Sequence, residues 1–185
     1  MHTIEPRGQG GRRFICGWRG VLWGGAVGLL LVPALAMRFY PQAGVDWSPL
    51  DFAVMGVLLA AVCGLLDFGL RRDGSPAYRA GFAVAVLAGF ATIWANLAVG
   101  MLGREGDPAN ALFAGVLAIA AVGSLLARFR AAGMAKAMGV TALAQLVAVG
   151  VALGLGSFQP RELLLTAAFA LPWLLAAGLF RHAAR

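Results

Sequence analysis

The stretch WANLAVGMLGREGDPANAL, residues 94–112, decides how this chain is read. A greasy run carries Asn96 beside Trp94, breaks into Gly103-Arg104-Glu105-Gly106, and turns greasy again after Asp107-Pro108-Ala109-Asn110. Asp107 is placed to cap a helix N-terminus. Pro108 suits the first helical position, because its missing N–H has no intrahelical partner there anyway. The stretch is therefore the end of one apolar helix, a short polar loop and the start of the next.

The rest of the chain repeats this grammar. Ser48-Pro49-Leu50-Asp51 offers a cap, a first-turn proline and an acid at the third position, close to a capping box. Gln159-Pro160-Arg161-Glu162 and Ser75-Pro76 are variants of it. Uncharged runs lie between Arg19 and Arg38, Asp51 and Asp67, Arg79 and Arg104, Asp107 and Arg128, Lys136 and Arg161, and Glu162 and Arg181. Each is near the roughly 20 residues that cross a hydrocarbon core of about 30 Å as helix. The second run is long enough only if it continues to Leu70 and takes in Asp67, which can then pair with Arg71 one turn later.

These runs predict an all-α, polytopic membrane helix bundle. Its spans fall near 20–37, 49–70, 79–103, 108–127, 137–157 and 161–180, in one transmembrane domain over 20–181. A basic tail, 1–19, precedes it and a short tail, 182–185, follows. Composition agrees. Of 185 residues 61% are hydrophobic and 12% charged, against roughly 25% charged in soluble domains. So few charges cannot coat a water-exposed globule of this size.

Orientation follows from the basic residues. One set of loops and tails holds Arg7, Arg12, Arg13, Arg19, Arg71, Arg72, Arg79, Arg128, Arg130, Lys136, Arg181 and Arg185; the other holds Arg38, Arg104 and Arg161. Positive loops stay cytoplasmic, so both termini are expected inside. The formal charge of +7 lies between apolar runs and not in a patch with aromatics, which argues against nucleic acid as a partner. The expected partners are the lipid bilayer and other membrane proteins or further copies of the chain. Arginine, alanine and glycine usage suggests a GC-rich bacterial genome, and a bacterial inner membrane is the expected location.

Several local features carry expectations. Arg12-Arg13, the run 21–32 and Ala34-Leu35-Ala36 also fit a signal peptide with its cleavage site, so the first helix is either retained or removed. Cys16 lies in the basic tail and Cys63 in an apolar run, a placement unsuited to a disulfide. Gly24 with Gly28, and Gly150 with Gly154, have the spacing of close helix contacts. Pro33 and Pro172 should kink the first and last helices. Trp18, Tyr40, Trp47 and Tyr78 fall near the expected interfaces.

Parts for chemistry are scarce. The two histidines, His2 and His182, lie in the tails, and no His/Cys spacing suits zinc. There is no G-x-S-x-G elbow and no P-loop, and Gly8-Gln9-Gly10-Gly11 lacks the strand a dinucleotide fingerprint needs. No cofactor, metal or catalytic residue is expected. A small polar set remains toward the outer face: Asn96, Trp94, Asp51, Asp107 and Asn110. Asn96 is expected about seven residues, or ~10 Å, below the outer end of the third helix. These residues serve either helix starts and interhelical hydrogen bonding, or a shallow outward site for a small solute or cation. Thr92, Gln145 and Trp173 are further candidates, more readily explained by packing.

Trp47-Ser48-Pro49-Leu50-Asp51-Phe52, Tyr78-Arg79, Trp94-Ala95-Asn96-Leu97-Ala98-Val99-Gly100 and Asp107-Pro108-Ala109-Asn110 resemble a family of small, uncharacterised bacterial six-helix integral membrane proteins. Ala127-Arg128-Phe129-Arg130 and Thr141-Ala142-Leu143-Ala144-Gln145 are similar too. The resemblance implies a topology and no activity. Gly103-Arg104-Glu105-Gly106 departs from the family's more acidic outer loop, which argues against cation binding there. The functional expectation is a non-enzymatic accessory factor or subunit of a membrane assembly, with a solute binder or transporter as the alternative and a membrane-embedded enzyme as the least favoured class.

Overall fold

The computed structural model describes residues 9–72, 75–104 and 106–185, with side chains from residue 17 onward. His2, Arg7 and Glu105 lie outside the described residues, as do the side chains of Arg12, Arg13 and Cys16. The helices are α1 (Gln9–Phe39), α2 (Pro49–Arg71), α3 (Pro76–Ala98), α4 (Ala111–Leu126), α5 (Ala131–Leu155), α6 (Pro160–Ala168) and α7 (Ala170–Ala183). Short 3₁₀ turns cover Pro41–Ala43 and Pro108–Asn110. With α6 and α7 read together, six helical spans are long and apolar enough to cross a membrane, and the described residues contain no strand. The all-α class and the multi-pass character follow directly.

Helix starts form as the prolines predict. Ser48 and Asp51 make a reciprocal cap: the Asp51 carboxylate accepts from Ser48 N–H at 2.7 Å and from its hydroxyl at 2.8 Å, and Asp51 N–H donates to Ser48 Oγ at 3.3 Å. Ser75 Oγ accepts from Tyr78 N–H at the start of α3. Glu162 accepts from Gln159 N–H at the start of α6. Each bond satisfies one of the orphan donors that open every helix.

Helix ends depart further from expectation. The third helix stops at Ala98, not near 103, because Gly100 and Gly103 take positive φ (73° and 62°) and turn the chain out of the helix. The fifth begins at Ala131, not 137: Lys136 is exposed on its surface and sits inside the helix without breaking it. The first reaches back to Gln9, into the segment expected as tail, and runs unbroken through Pro33. The last is interrupted at Phe169, between α6 and α7. Pro172 lacks the N–H that would bond Ala168, and its ring crowds that carbonyl, so the break falls where proline chemistry puts it.

Contacts divide the chain into two compact units, one ending at Asp67 and the other Phe68–Arg185. In the first, α1 and α2 are antiparallel. Arg19 Nε lies 3.2 Å from Asp67 Oδ1, the Cys63 thiol donates to Leu22 O at 3.6 Å, and a Cβ on Gly56 would lie 3.8 Å from Leu30. Asp67 thus finds an arginine on the neighbouring helix, a partner that spacing along α2 does not reveal. Cys63 is a free, buried thiol.

In the second unit α5 packs against α4, α6 and α7, and α3 packs against α7. Two core clusters form, one at each end of the helices. Tyr78, Phe82, Met134, Met138, Trp173 and Phe180 make one; Met101, Leu102, Phe113, Val116, Ala148 and Ala152 make the other. Tyr78 is only 4% exposed, a core residue and not the interfacial aromatic its position implies. Close helix approach occurs at glycines other than the expected pairs. A Cβ on Gly81 would lie 3.2 Å from Leu179 Cβ, and one on Gly123 3.0 Å from Ala137 Cβ. Gly24, Gly28, Gly150 and Gly154 have open space above them. Van der Waals contact of this kind holds helices together where lipid removes the hydrophobic drive.

Candidate functional site

The polar set expected toward the outer face resolves into separate local roles. Asp107 caps the turn before α4, accepting from Ala109 N–H at 2.9 Å, while its other oxygen lies against Gly103, where a Cβ would come within 2.9 Å. Asn110 does not cap α4. Its Oδ1 accepts from Met101 N–H at 3.0 Å and Leu102 N–H at 2.9 Å, and its Nδ2 donates to Leu102 O at 3.1 Å and Arg104 O at 2.9 Å. One side chain thereby satisfies four backbone groups of the non-helical segment 99–104.

The middle of that segment is buried: Leu102 is fully covered and Met101 nearly so, while Val99, Gly103 and Arg104 are exposed. Irregular backbone at membrane depth persists only where protein satisfies its polar groups. Asn110 does so from one side. From the other, the Thr166 hydroxyl donates to Met101 O at 2.8 Å, and Gln145 Nε2 donates to Thr166 O at 2.9 Å. Gln145, Thr166, Met101 and Asn110 thus form a polar relay across α5, α6 and the loop. Gln145 serves as interhelical glue, and its Oε1 has no hydrogen-bond partner. Thr92 bonds Ala88 O in its own helix, a self-contained arrangement. Trp173 is 2% exposed and belongs to the core, with its Nε1 unpartnered.

Asn96 sits two residues before the end of α3, about 3 Å of helical rise from it, so the expected depth of ~10 Å below the helix end is corrected by the early stop at Ala98. Its Oδ1 is buried without a hydrogen-bond partner, and no bond among the described residues ties Asn96 to a neighbouring helix. The interhelical hydrogen bond expected of it is not formed. Trp94 is 38% exposed and its ring lies 5.9 Å from Phe90. Asp51 lies in the first unit, committed to its cap with Ser48. No hydrogen bond joins Asn96 to Asp107 or Asn110.

The opposite end of the second unit holds a constellation that spacing alone does not reveal. The turn from α4 to α5 is a Schellman-type ending: Arg128 N–H donates to Leu125 O and Phe129 N–H to Ser124 O. Glycine usually fills the left-handed position. Here Arg128 (φ 49°) and Phe129 (φ 56°) both adopt it, at about 1–2 kcal/mol each. Side chains from elsewhere hold these two residues. Arg72 Nη1 donates to Arg128 O at 3.2 Å, and the Tyr78 hydroxyl donates to Phe129 O at 2.7 Å. The Arg72 guanidinium also lies 4.8 Å from the Phe68 ring centre and 5.0 Å from that of Phe129, and those two rings meet edge to face at 5.2 Å. Sequence patterning gives Arg72 and Arg130 only a topological role and leaves Tyr78 at the interface. Neither a four-residue turn nor an arginine at a helix end signals that they meet.

Among the described residues no group of three or more His, Cys, Asp or Glu side chains is placed to hold a metal ion. No protein-family model, curated protein or solved structure matches this chain.

Proposed function

We propose that this chain is a bacterial inner-membrane protein with both termini cytoplasmic, acting without catalysis as an accessory factor or subunit of a membrane assembly. The observation that carries this reading is the use of the outer polar residues. Asp51 and Asp107 are engaged in helix starts and Asn110 in clamping the loop 99–104, so their side chains are committed to structure. The apolar surface agrees with a life among lipids and membrane partners: Val21, Val27, Leu29, Leu31, Val32 and Leu35 of α1 are all exposed. The arginine bias supports the orientation. The resemblance to small bacterial six-helix membrane proteins fits the same reading.

Native mass spectrometry of gently extracted protein tests it. The expected spectrum shows a stoichiometric protein partner or a defined assembly of the chain itself. A monomer that carries one small solute, and no protein, contradicts it.

One observation favours a second reading, a solute binder with a shallow outward site: the buried, unpartnered Oδ1 of Asn96. Under that reading Asn96→Ala leaves thermal stability nearly unchanged and removes a copurified solute, with Trp94→Ala sharing the defect. Under the first reading no solute is lost, because none is bound.

A further inference from the structure

A cavity of about 430 Å³ opens at the arginine-rich end of the second unit, lined by Arg72, Ser75, Tyr78, Phe129 and Arg130, with alanine completing its wall. No acid among the described residues lines it. Two guanidinium groups, from the end of α2 and from the α4–α5 turn, therefore share one cavity whose described lining carries no acid.

The two arginines are not equivalent. Arg72 is held in place, bonded to Arg128 O and laid against the rings of Phe68 and Phe129. Stacking of this kind fixes the plane of the guanidinium while leaving donors of its five-donor fork unused. Arg130 is exposed and makes no hydrogen bond or ion pair through its side chain among the described residues. Ser75 Oγ already accepts from Tyr78 N–H, so its own hydroxyl proton is available to a ligand. Arg128 and Phe129, just before Arg130, hold strained left-handed backbone, and such strain persists where surrounding contacts over-determine it, often at binding sites.

We propose that this cavity binds a phosphate group, held between Arg72 and Arg130. Planar forks suit the oxygens of a phosphate, which accept paired N–H bonds from each guanidinium. The volume admits a phosphate with part of its ester, and the Phe129 ring and alanine wall suit the carbon of that ester. The site lies at the ends of the spans, where lipid headgroups sit, and basic pockets between helices on that side take anionic headgroups. A soluble phosphate offers the same chemistry.

The experiment separates these sources. Purified, delipidated full-length protein is titrated in detergent with phosphatidylglycerol, with diacylglycerol, which lacks the phosphate, and with inorganic phosphate. Lipid adducts are read by native mass spectrometry and protection by thermal unfolding. Binding of phosphatidylglycerol but not diacylglycerol is expected, weakened at least about tenfold by Arg130→Gln, since a bond to a charged group is lost. Arg181→Gln removes the same charge from an exposed position outside the cavity and should leave binding unchanged. Protection by inorganic phosphate that depends on Arg130, with no lipid adduct, supports the site and assigns it a soluble ligand. Arg72→Lys keeps the charge but loses the fork, and should weaken binding too. Equal losses in Arg130→Gln and Arg181→Gln, equal binding of diacylglycerol, or binding of neither phosphatidylglycerol nor phosphate overturns the proposal.

Discussion

The two ends of the second unit solve one problem, reversing the chain between neighbouring spans, in opposite ways. At one end the loop 99–104 uses Gly100 and Gly103 for its left-handed positions, so its turns are nearly free of strain. Its polar backbone is then satisfied by neutral side chains, Asn110 and Thr166. At the other end the turn into α5 places Arg128 and Phe129 in the left-handed region and holds their carbonyls with Arg72 and Tyr78. The first loop is built for stability: glycine where the backbone needs it, and an amide that closes four hydrogen bonds. The second accepts strain and collects two arginines, with no acid among the described residues of the lining, around a cavity. Strain beside two clustered arginines is the pattern on which the proposed phosphate site rests.

This contrast can be broken from either side, and the largest effect is expected at Asn110. Asn110→Ala leaves the buried N–H groups of Met101 and Leu102 without partners, and each unsatisfied buried donor costs roughly 1–3 kcal/mol. Unfolding in detergent should show a loss of about 3 kcal/mol; a loss under 1 kcal/mol would mean that the loop is not clamped. Arg128→Gly should act in the opposite direction. Glycine removes the left-handed penalty, so stability should rise by about 1 kcal/mol. A fall in stability would show that the turn is not strained. Thr166→Val removes the bond to Met101 O with little change in shape, and membrane hydrogen bonds average about 0.6 kcal/mol, so a modest loss is expected. Unchanged stability would remove Thr166 from the relay. The smallest effect belongs to Pro108→Ala, because a first-turn proline breaks no helical bond. Pro172→Ala should exceed it, and the reverse order in thermal stability would contradict the placement of α4.

The same contrast explains what the sequence discloses. Helix starts are legible because their chemistry is local: Ser48 with Asp51, Asp107 with Pro108, and Gln159 with Glu162 each act within three residues. The spans are legible because charge is costly in lipid and divides the chain cleanly. The end of α3 is not legible, since Val99, Met101 and Leu102 are as apolar as the helix before them. Only tertiary contact with Asn110 and Thr166 makes a non-helical course possible there with Met101 and Leu102 buried. Asn110 is thus found in the right neighbourhood with the wrong role. The meeting of Arg72, Tyr78 and Phe129 depends on three elements packing together, and no spacing within any one of them encodes it.

The proposed topology has six spans that put the two ends of the second unit on opposite faces of the membrane, with the arginine-rich end inside. Single cysteines at Gly106, Arg130 and Arg185, in a chain with Cys16 and Cys63 replaced by serine, test this most directly. They are probed in intact cells with a thiol reagent that does not cross the membrane. The account predicts labelling at Gly106 alone, with Arg130 and Arg185 labelled only after the cells are opened. Protection of Gly106, or labelling of Arg130 from outside, would contradict it.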